Sequence, residues 1–459
     1  MKFKIVFILS LLYWIYLACT CQPVIVHDSI EYHRLGQLLL NEGWVEYFQT
    51  GPQREPLYPL MIAAAMNIGN KLSVEYITIL YIIQMLFLFC TQYLTYRLLK
   101  KLNISSTISI CILLYLAISP SIVNLYLSVY SEIVTYPFIL GIAWIGAASW
   151  QSLKHASKLK ITLLAAALGI LFCGILASKA IYEYVLYAHI FIFCIPLLIS
   201  LIKKDKKLLI NSALFLLIFQ FMSLGPMSLY KSINEKYNGY SVITGGRGAH
   251  HIHASARRRT DPLDAPKVKA LLARVVSDHF CESYLKLTNC QYWHIQKFDN
   301  TELVEYLKPY PEDRHESETT KLGIKIALSN PIQFTLLSGS EAVRLFIWET
   351  MNIGFVTYPQ WLTHIFRNTT LEYILSIGWA VISLIGFFYV VCSIIRQRKE
   401  LFNFDLTIQN STVLLLFLIS IITTHVGLYS IVMTVTRFSS PIVPLLLICV
   451  AYFLNKKFT

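Results

Sequence analysis

The feature that most constrains this chain is an alternation. Apolar runs long enough to cross a bilayer follow one another, and Lys/Arg clusters mark every second connection. A spanning helix needs about 20 mostly apolar residues. Ten runs meet that requirement: 5–21, 74–98, 105–126, 132–150, 160–177, 181–202, 208–229, 373–395, 411–430 and 439–454. The stretch 161–202 exceeds one span and is expected to break at Ser178-Lys179. The basic clusters are Lys2 and Lys4; Arg97, Lys100 and Lys101; Lys154, Lys158 and Lys160; Lys203, Lys204, Lys206 and Lys207; Arg396, Arg398 and Lys399; and Lys456 and Lys457. Basic residues gather on the cytoplasmic side. Both termini are therefore expected in the cytoplasm, and 22–73, 127–131, 178–180, 230–372 and 431–438 on the outer face. The expected fold class is an all-α polytopic membrane protein with about ten or more transmembrane helices, located in a bacterial cytoplasmic (inner) membrane.

Composition agrees with that class. Hydrophobic residues make up 56% of the 459 and charged residues 14%, against roughly 25% charged in soluble domains. The net charge of +13 follows the span ends, and no basic run with interleaved aromatics lies outside the membrane. Nucleic acid is therefore excluded as a partner. Met1-Lys2-Phe3-Lys4 and the apolar run behind it resemble a secretory leader. No small-residue cleavage pattern closes it, so an uncleaved first span is expected. Eight of the ten cysteines lie in or beside apolar runs and read as small hydrophobes. Cys281 and Cys290 stand apart in the outer region, where an oxidising compartment would allow a disulfide.

Three parts are expected along the chain: an N-terminal membrane module 1–229 whose first outer loop is 22–73, an outer domain 230–372 between spans seven and eight, and membrane helices 373–459. In the first loop, Asp28, Tyr32, Leu35, Leu38 and Leu39 recur at helical spacing, which predicts an amphipathic interfacial helix. Residues 57–68 are apolar but short and predict a second interfacial helix or a re-entrant piece. The outer region holds 17 Lys/Arg and 15 Asp/Glu between Lys231 and Glu372, so it is nearly balanced. Helix-like stretches fall at 265–279, 301–308 and 318–328. The apolar end of the region, Phe334 to Phe355 with Glu341, Arg344 and Glu349, reads as interfacial.

Charged groups near lipid are costly and point to function. Asp28 lies just past the first span, where a carboxylate can take a proton from an acceptor hydroxyl or amine; a helix cap or a solvated acid is the plainer reading. Arg54 heads Arg54-Glu55-Pro56-Leu57-Tyr58-Pro59. Its planar fork suits a phosphate, with interfacial anchoring as the alternative. Glu132 opens a span, where the helix dipole alone would favour it. Lys179 and Arg437 are cations on the expected cation-poor face; each alone is explained by snorkelling, and with Arg54 they predict a phosphate site. His250, His251 and His253 lack a diagnostic metal spacing and precede Arg257-Arg258-Arg259, which repels a cation. No cofactor is read from the sequence, and a divalent metal stays open. Gly245-Gly246-Arg247-Gly248 lacks the context of a phosphate loop and is read as a flexible gate.

Taken together, Asp28-Ser29-Ile30-Glu31-Tyr32, Arg54-Glu55-Pro56-Leu57-Tyr58-Pro59, Ser131-Glu132 and Arg437-Phe438-x-x-Pro441-x-x-Pro444 resemble the GT-C superfamily of integral-membrane glycosyltransferases. The branch holding the lipid A aminoarabinose transferase and the protein O-mannosyltransferases is the nearest in look. The resemblance implies a sugar transferred from a polyprenyl-phosphate donor to a lipid, glycan or protein acceptor, with inversion. It implies Asp28 as the catalytic carboxylate and Arg54, with Lys179 and Arg437, as the donor-phosphate contacts. Glu132 would be a second acid, since His27 stands where relatives often carry one, and Tyr32, Glu55 and Tyr58 would support the site. Two other classes compete: a transporter or flippase, with His425 its main ionisable candidate inside a span, and a non-catalytic envelope assembly protein. An enzyme gathers Asp28, Arg54 and Lys179 in one outward pocket; a transporter strings polar groups along a path.

Overall fold

The computed structural model describes residues 2–52, 54–244, 247–260, 281–282, 285–286, 300–311, 314–349, 355–366, 368–402, 411–432 and 436–458. The first half runs α1 (Lys2–Thr20), α2 (Asp28–Asn41), α3 (Trp44–Gln49), α4 (Leu57–Leu72), α5 (Tyr76–Lys101), α6 (Ser106–Ile118), α7 (Pro120–Leu127), α8 (Glu132–Ser152), α9 (Lys158–Leu176), α10 (Tyr182–Lys203) and α11 (Lys206–Asn238). The second half continues with α12 (Arg247–Thr260), α13 (Asn300–Leu307), α14 (His315–Ser329), α15 (Pro331–Arg344), α16 (Gln360–Phe366), α17 (Thr369–Arg396), α18 (Ser411–Val432), a 3₁₀ segment Thr436–Ile442 and α19 (Val443–Phe458). Two short strands, β1 (Gln22–Pro23) and β2 (Val356–Thr357), pair antiparallel. They tie the chain leaving α1 to the segment before α16.

Nine helices among the described residues are long and apolar enough to cross a membrane, and α6 with α7 makes a tenth if counted as one bent span. The protein is an all-α polytopic membrane protein. The sequence reads 105–126 as one straight run. It bends by 45° instead, because Ser119-Pro120 starts a new helix: Pro120 sits at the first helical position and the Ser119 hydroxyl accepts from Ile122 N, the arrangement proline and serine favour there. The break expected near Ser178-Lys179 is present, between α9 and α10.

Residues 22–73 fold into three helices. The two that the pattern predicts are α2 and α4, and the six-residue α3 joins them. Gly36 makes the packing of α2 on α4 possible: a Cβ there would lie 2.5 Å from Ile62 Cγ2. The helix α11 is 33 residues long, about 50 Å at 1.5 Å per residue. It runs on through residue 230, and its last turns bring Tyr230, Ile233 and Tyr237 against Tyr47 and Phe48 of α3.

The outer segment differs from its reading in two respects. The helix α12 is unforeseen, because its Arg- and His-rich sequence has no apolar stripe. It carries buried polar groups, with His253, Ser255, Arg258 and Arg259 all inside. Arg259 Nη1 donates to the Ile431 carbonyl at the end of α18, so polar contacts add to the burial of the small Ala249, Ala254 and Ala256. Glu341 and Glu349 are also buried rather than interfacial. Arg258 lies 3.4 Å from Glu341. Glu349 accepts from Tyr115 Oη, Ser119 Oγ and Ser121 N, at 2.7, 2.6 and 2.9 Å. Burial pushes the Glu349 carboxyl up, and its three donors cap the start of α7. The helix expected at 265–279 lies outside the described residues, as do Gly245 and Gly246 of the expected gate; from Arg247 the chain is helical. Cys281 is disulfide-bonded, while Cys290 lies outside the described residues.

Candidate active site

Five charged side chains from four distant segments meet at one end of the bundle. Asp28 opens α2. Its neighbour His27 has φ of 51°, a left-handed conformation that costs about 1–3 kcal/mol for a residue with a side chain. The His27 ring packs on Phe355, centroids 5.2 Å apart, next to the β1–β2 pairing. Strain of this kind persists only where the surroundings enforce it, and here it lies beside the candidate base.

Asp28 Oδ1 accepts from Arg54 Nη2, and Oδ2 accepts from Arg437 Nη2. Arg437 Nε lies 3.3 Å from Glu132 Oε1. The same Glu132 oxygen accepts from Lys179 Nζ at 3.0 Å. The result is one chain of ions, Arg54–Asp28–Arg437–Glu132–Lys179. Three cations face two carboxylates along this chain, and Glu55, which also acts on Lys179, is a third carboxylate beside them. The Glu132 side chain is 1% exposed and Asp28 28%, which makes Asp28 the accessible carboxylate of the two. Partial burial acts to raise the Asp28 carboxyl, but Arg437 and Arg54 outweigh it and hold it below the usual range. Burial acts to lower Lys179, and the adjacent Glu132 overrides it, keeping the amine above its usual value. Both groups are therefore charged at neutral pH.

The supporting residues named from the sequence all lie at this cluster. The Arg54 guanidinium sits over the Tyr32 ring, 5.3 Å from its centroid, a cation–π contact. Tyr32 Oη pairs with Ser131 Oγ at 2.9 Å, which fixes the turn before Glu132. The Tyr58 ring meets Tyr32 edge-on at 5.0 Å, and its hydroxyl donates to Gln84 Oε1. Glu55 Oε1 accepts from Ala180 N at 2.8 Å, and Leu57 N donates to the Ala177 carbonyl. These two bonds clamp the turn that presents Lys179.

Other contributors are less visible in the sequence. Gln84 Nε2 donates to the Tyr126 carbonyl and so anchors the end of α7, from which the chain turns toward Ser131 and Glu132. The signal was there: a polar amide inside an apolar run needs a partner. The Arg437 guanidinium lies 4.6 Å from the Tyr130 ring centroid. His425 is buried in α18, and its Nε2 lies 2.7 Å from the Phe438 carbonyl. Tyr429 stacks on the Phe438 ring at 4.7 Å. Together they grip the residue next to Arg437. This explains a histidine inside a span as a fastener of the 3₁₀ segment.

Among the described residues, the buried atoms Arg54 Nε and Glu132 Oε2 have no hydrogen-bond partner. Buried polar groups are otherwise almost always satisfied. The unfilled Arg54 donor marks a place for an anion. No group of three or more His, Cys, Asp or Glu placed to hold a metal occurs among the described residues; His250, His251 and His253 lie on α12. Comparison of the chain with protein-family models, with curated proteins and with solved structures returns no match.

Proposed function

We propose that the protein is a membrane glycosyltransferase that moves a sugar from a polyprenyl-phosphate donor to an acceptor on the outer face of the membrane, inverting the anomeric carbon. The observation that carries this reading is the junction itself: one accessible carboxylate, held by two guanidinium groups, with a third cation beside them. Convergence at a single point favours an enzyme over a transporter. Pro137, Pro196 and Pro226 sit inside helices that continue past them, so those helices are not the broken spans that transporters use. Among the described residues, the bend at Ser119 is a feature that favours the transporter alternative.

The chemistry follows from the ion chain. Both Asp28 oxygens are bonded to arginines, which makes it a weak base. A phosphate entering the cluster competes for the same guanidinium forks, for which it is a good bidentate partner. As Arg54 and Arg437 turn to the phosphate, Asp28 loses its counter-ions and its basicity rises. It then takes the proton from the acceptor O–H or N–H. The acceptor heteroatom bonds to the anomeric carbon from the face opposite the phosphate, and the bond from that carbon to the phosphate oxygen breaks. The electron pair leaves on polyprenyl phosphate, whose developing charge the cations stabilise. A phosphate leaving group needs no general acid. Glu132 acts as the fixed counter-ion that keeps Lys179 and Arg437 in place.

Binding of undecaprenyl phosphate to the purified protein tests the phosphate site. Arg54→Ala loses a charge-assisted hydrogen bond of about 1.5–3 kcal/mol, a weakening of roughly 10- to 150-fold. Arg54→Lys keeps the charge without the fork and is expected in between. Arg437→Ala is expected to match Arg54→Ala, since Arg437 bridges both acids. Unchanged affinity in both alanine variants would remove the basis of the proposal.

The orientation is part of the proposal: both termini cytoplasmic, in a bacterial inner membrane, with the Asp28 end outside. In a cysteine-free background, a cysteine at Lys308 is expected to react with an impermeant maleimide in intact cells and one at Lys204 to be protected. The reverse pattern would put the site in the cytoplasm.

A further inference from the structure

A second charged feature lies at the opposite end of the bundle. The helix α9 ends next to Lys179, so its start at Lys158 is the far end. The helix α11 likewise ends against α3, where Asn238 donates to the Phe48 carbonyl, and starts at Lys206 on that far side. Between the two starts is a cavity of about 640 Å³, lined by His155, Ser157, Lys158, Lys206, Lys207 and Asn211. We infer that this cavity binds the phosphate headgroup of an anionic phospholipid. The inference is independent of the chemistry at Asp28.

Three observations point to that ligand. The first is charge. Lys158, Lys206 and Lys207 line one cavity, and the acid beside them is already engaged: Asp205 Oδ1 accepts from Leu208 N at 3.0 Å, and Oδ2 lies 3.6 Å from Lys154 Nζ. The second is the floor. Asn211 is buried and donates to the Leu153 carbonyl at 2.7 Å, and Lys207 Nζ reaches the His155 carbonyl at 3.4 Å. The loop and both helix starts are therefore held in register by groups that belong to the cavity. The third is what adjoins the mouth. Ile210, which also lines the cavity, is 50% exposed, and Leu217 two turns on is 68% exposed; on α9, Leu159 and Leu163 are 70% and 61% exposed. These side chains face lipid in a membrane protein. A basic pocket that opens onto an acyl-chain surface fits a molecule with both parts, whereas a free anion would use only the pocket. Basic pockets between spans are a recognised way to hold acidic headgroups.

The test is a titration of the purified protein with phosphatidylglycerol, read as lipid adducts by native mass spectrometry. Parallel arms use phosphatidylcholine and inorganic phosphate. The variant Lys158→Ala/Lys206→Ala/Lys207→Ala empties the pocket of cations. The variant Lys100→Ala/Lys456→Ala/Lys457→Ala removes the same charge from other helix ends. Each lysine that lines the pocket contributes about a factor of five to holding an acidic headgroup there, so the first variant is expected to weaken phosphatidylglycerol binding on the order of 100-fold. The second is expected to leave it unchanged. Phosphatidylcholine should bind more weakly than phosphatidylglycerol, and inorganic phosphate should not displace the lipid at equal concentration. Equal losses in the two variants would mean diffuse surface attraction and overturn the site. No loss in the first variant would overturn it as well. Displacement by inorganic phosphate would make it a soluble-anion site and overturn the lipid assignment.

Discussion

Asp28→Asn is expected to lower turnover by roughly 10²- to 10⁴-fold, the usual loss when a general base is removed. The substitution keeps the shape of the side chain, so the fold around α2 should survive. It also changes the charge of the cluster. With Asp28 neutral, the cluster loses one negative charge and becomes more positive by one unit. Donor phosphate should therefore bind at least as tightly as in the parent protein while the chemical step collapses. That split is what separates a base from a residue that merely holds the arginines in place, since loss of a scaffold would weaken donor binding too. The check is turnover and undecaprenyl phosphate affinity measured on the same preparation. Near-normal turnover would remove Asp28 from the mechanism.

Lys179→Ala is expected to show the largest stability loss. Its partner Glu132 is 1% exposed. Removing one member of a buried ion pair strands the other charge and costs about 3–5 kcal/mol. Arg437 Nε, 3.3 Å from the same Glu132 oxygen, recovers part of this, so the lower end of the range applies. Replacing both partners, as Lys179→Met with Glu132→Gln, removes the stranded charge and should restore most of the stability, because a buried pair contributes little beyond its own desolvation. Denaturant unfolding in mixed micelles measures both variants. A single variant as stable as the parent would mean that Glu132 is not the fixed counter-ion described above.

Much of the fold can be read from the sequence, and the reasons are physical. Spans announce themselves because lipid demands long apolar runs, and α2 does so because Asp28, Tyr32 and Leu35 follow its turn. The bend at Ser119 has a local cause, a serine cap followed by proline at the first helical position; what stays hidden is the buried Glu349 that accepts from Ser119, more than 200 residues away in the chain. The helix α12 hides because much of its burial is polar, and pattern reading counts only apolar residues. The site is legible in its members and illegible in its wiring. Arg54, Lys179 and Arg437 stand out as cations on the expected wrong face. That Arg437 would bridge Asp28 and Glu132 could not be read, since the contact spans 409 positions. The fastening of Phe438 by His425 spans only 13 positions, and the sequence shows it merely as an ionisable residue inside a span.

The central claim is tested most directly by a transfer assay. Purified protein in liposomes is given polyprenyl-phosphate sugars of defined anomeric configuration, with membrane lipids and peptides as acceptors, and the product is analysed for sugar and configuration. The account predicts that the parent protein transfers sugar from at least one such donor with inversion, releasing polyprenyl phosphate, and that Asp28→Asn does not. Transfer with retained configuration, or release of polyprenyl phosphate that is equal in the parent and in Asp28→Asn, would contradict it.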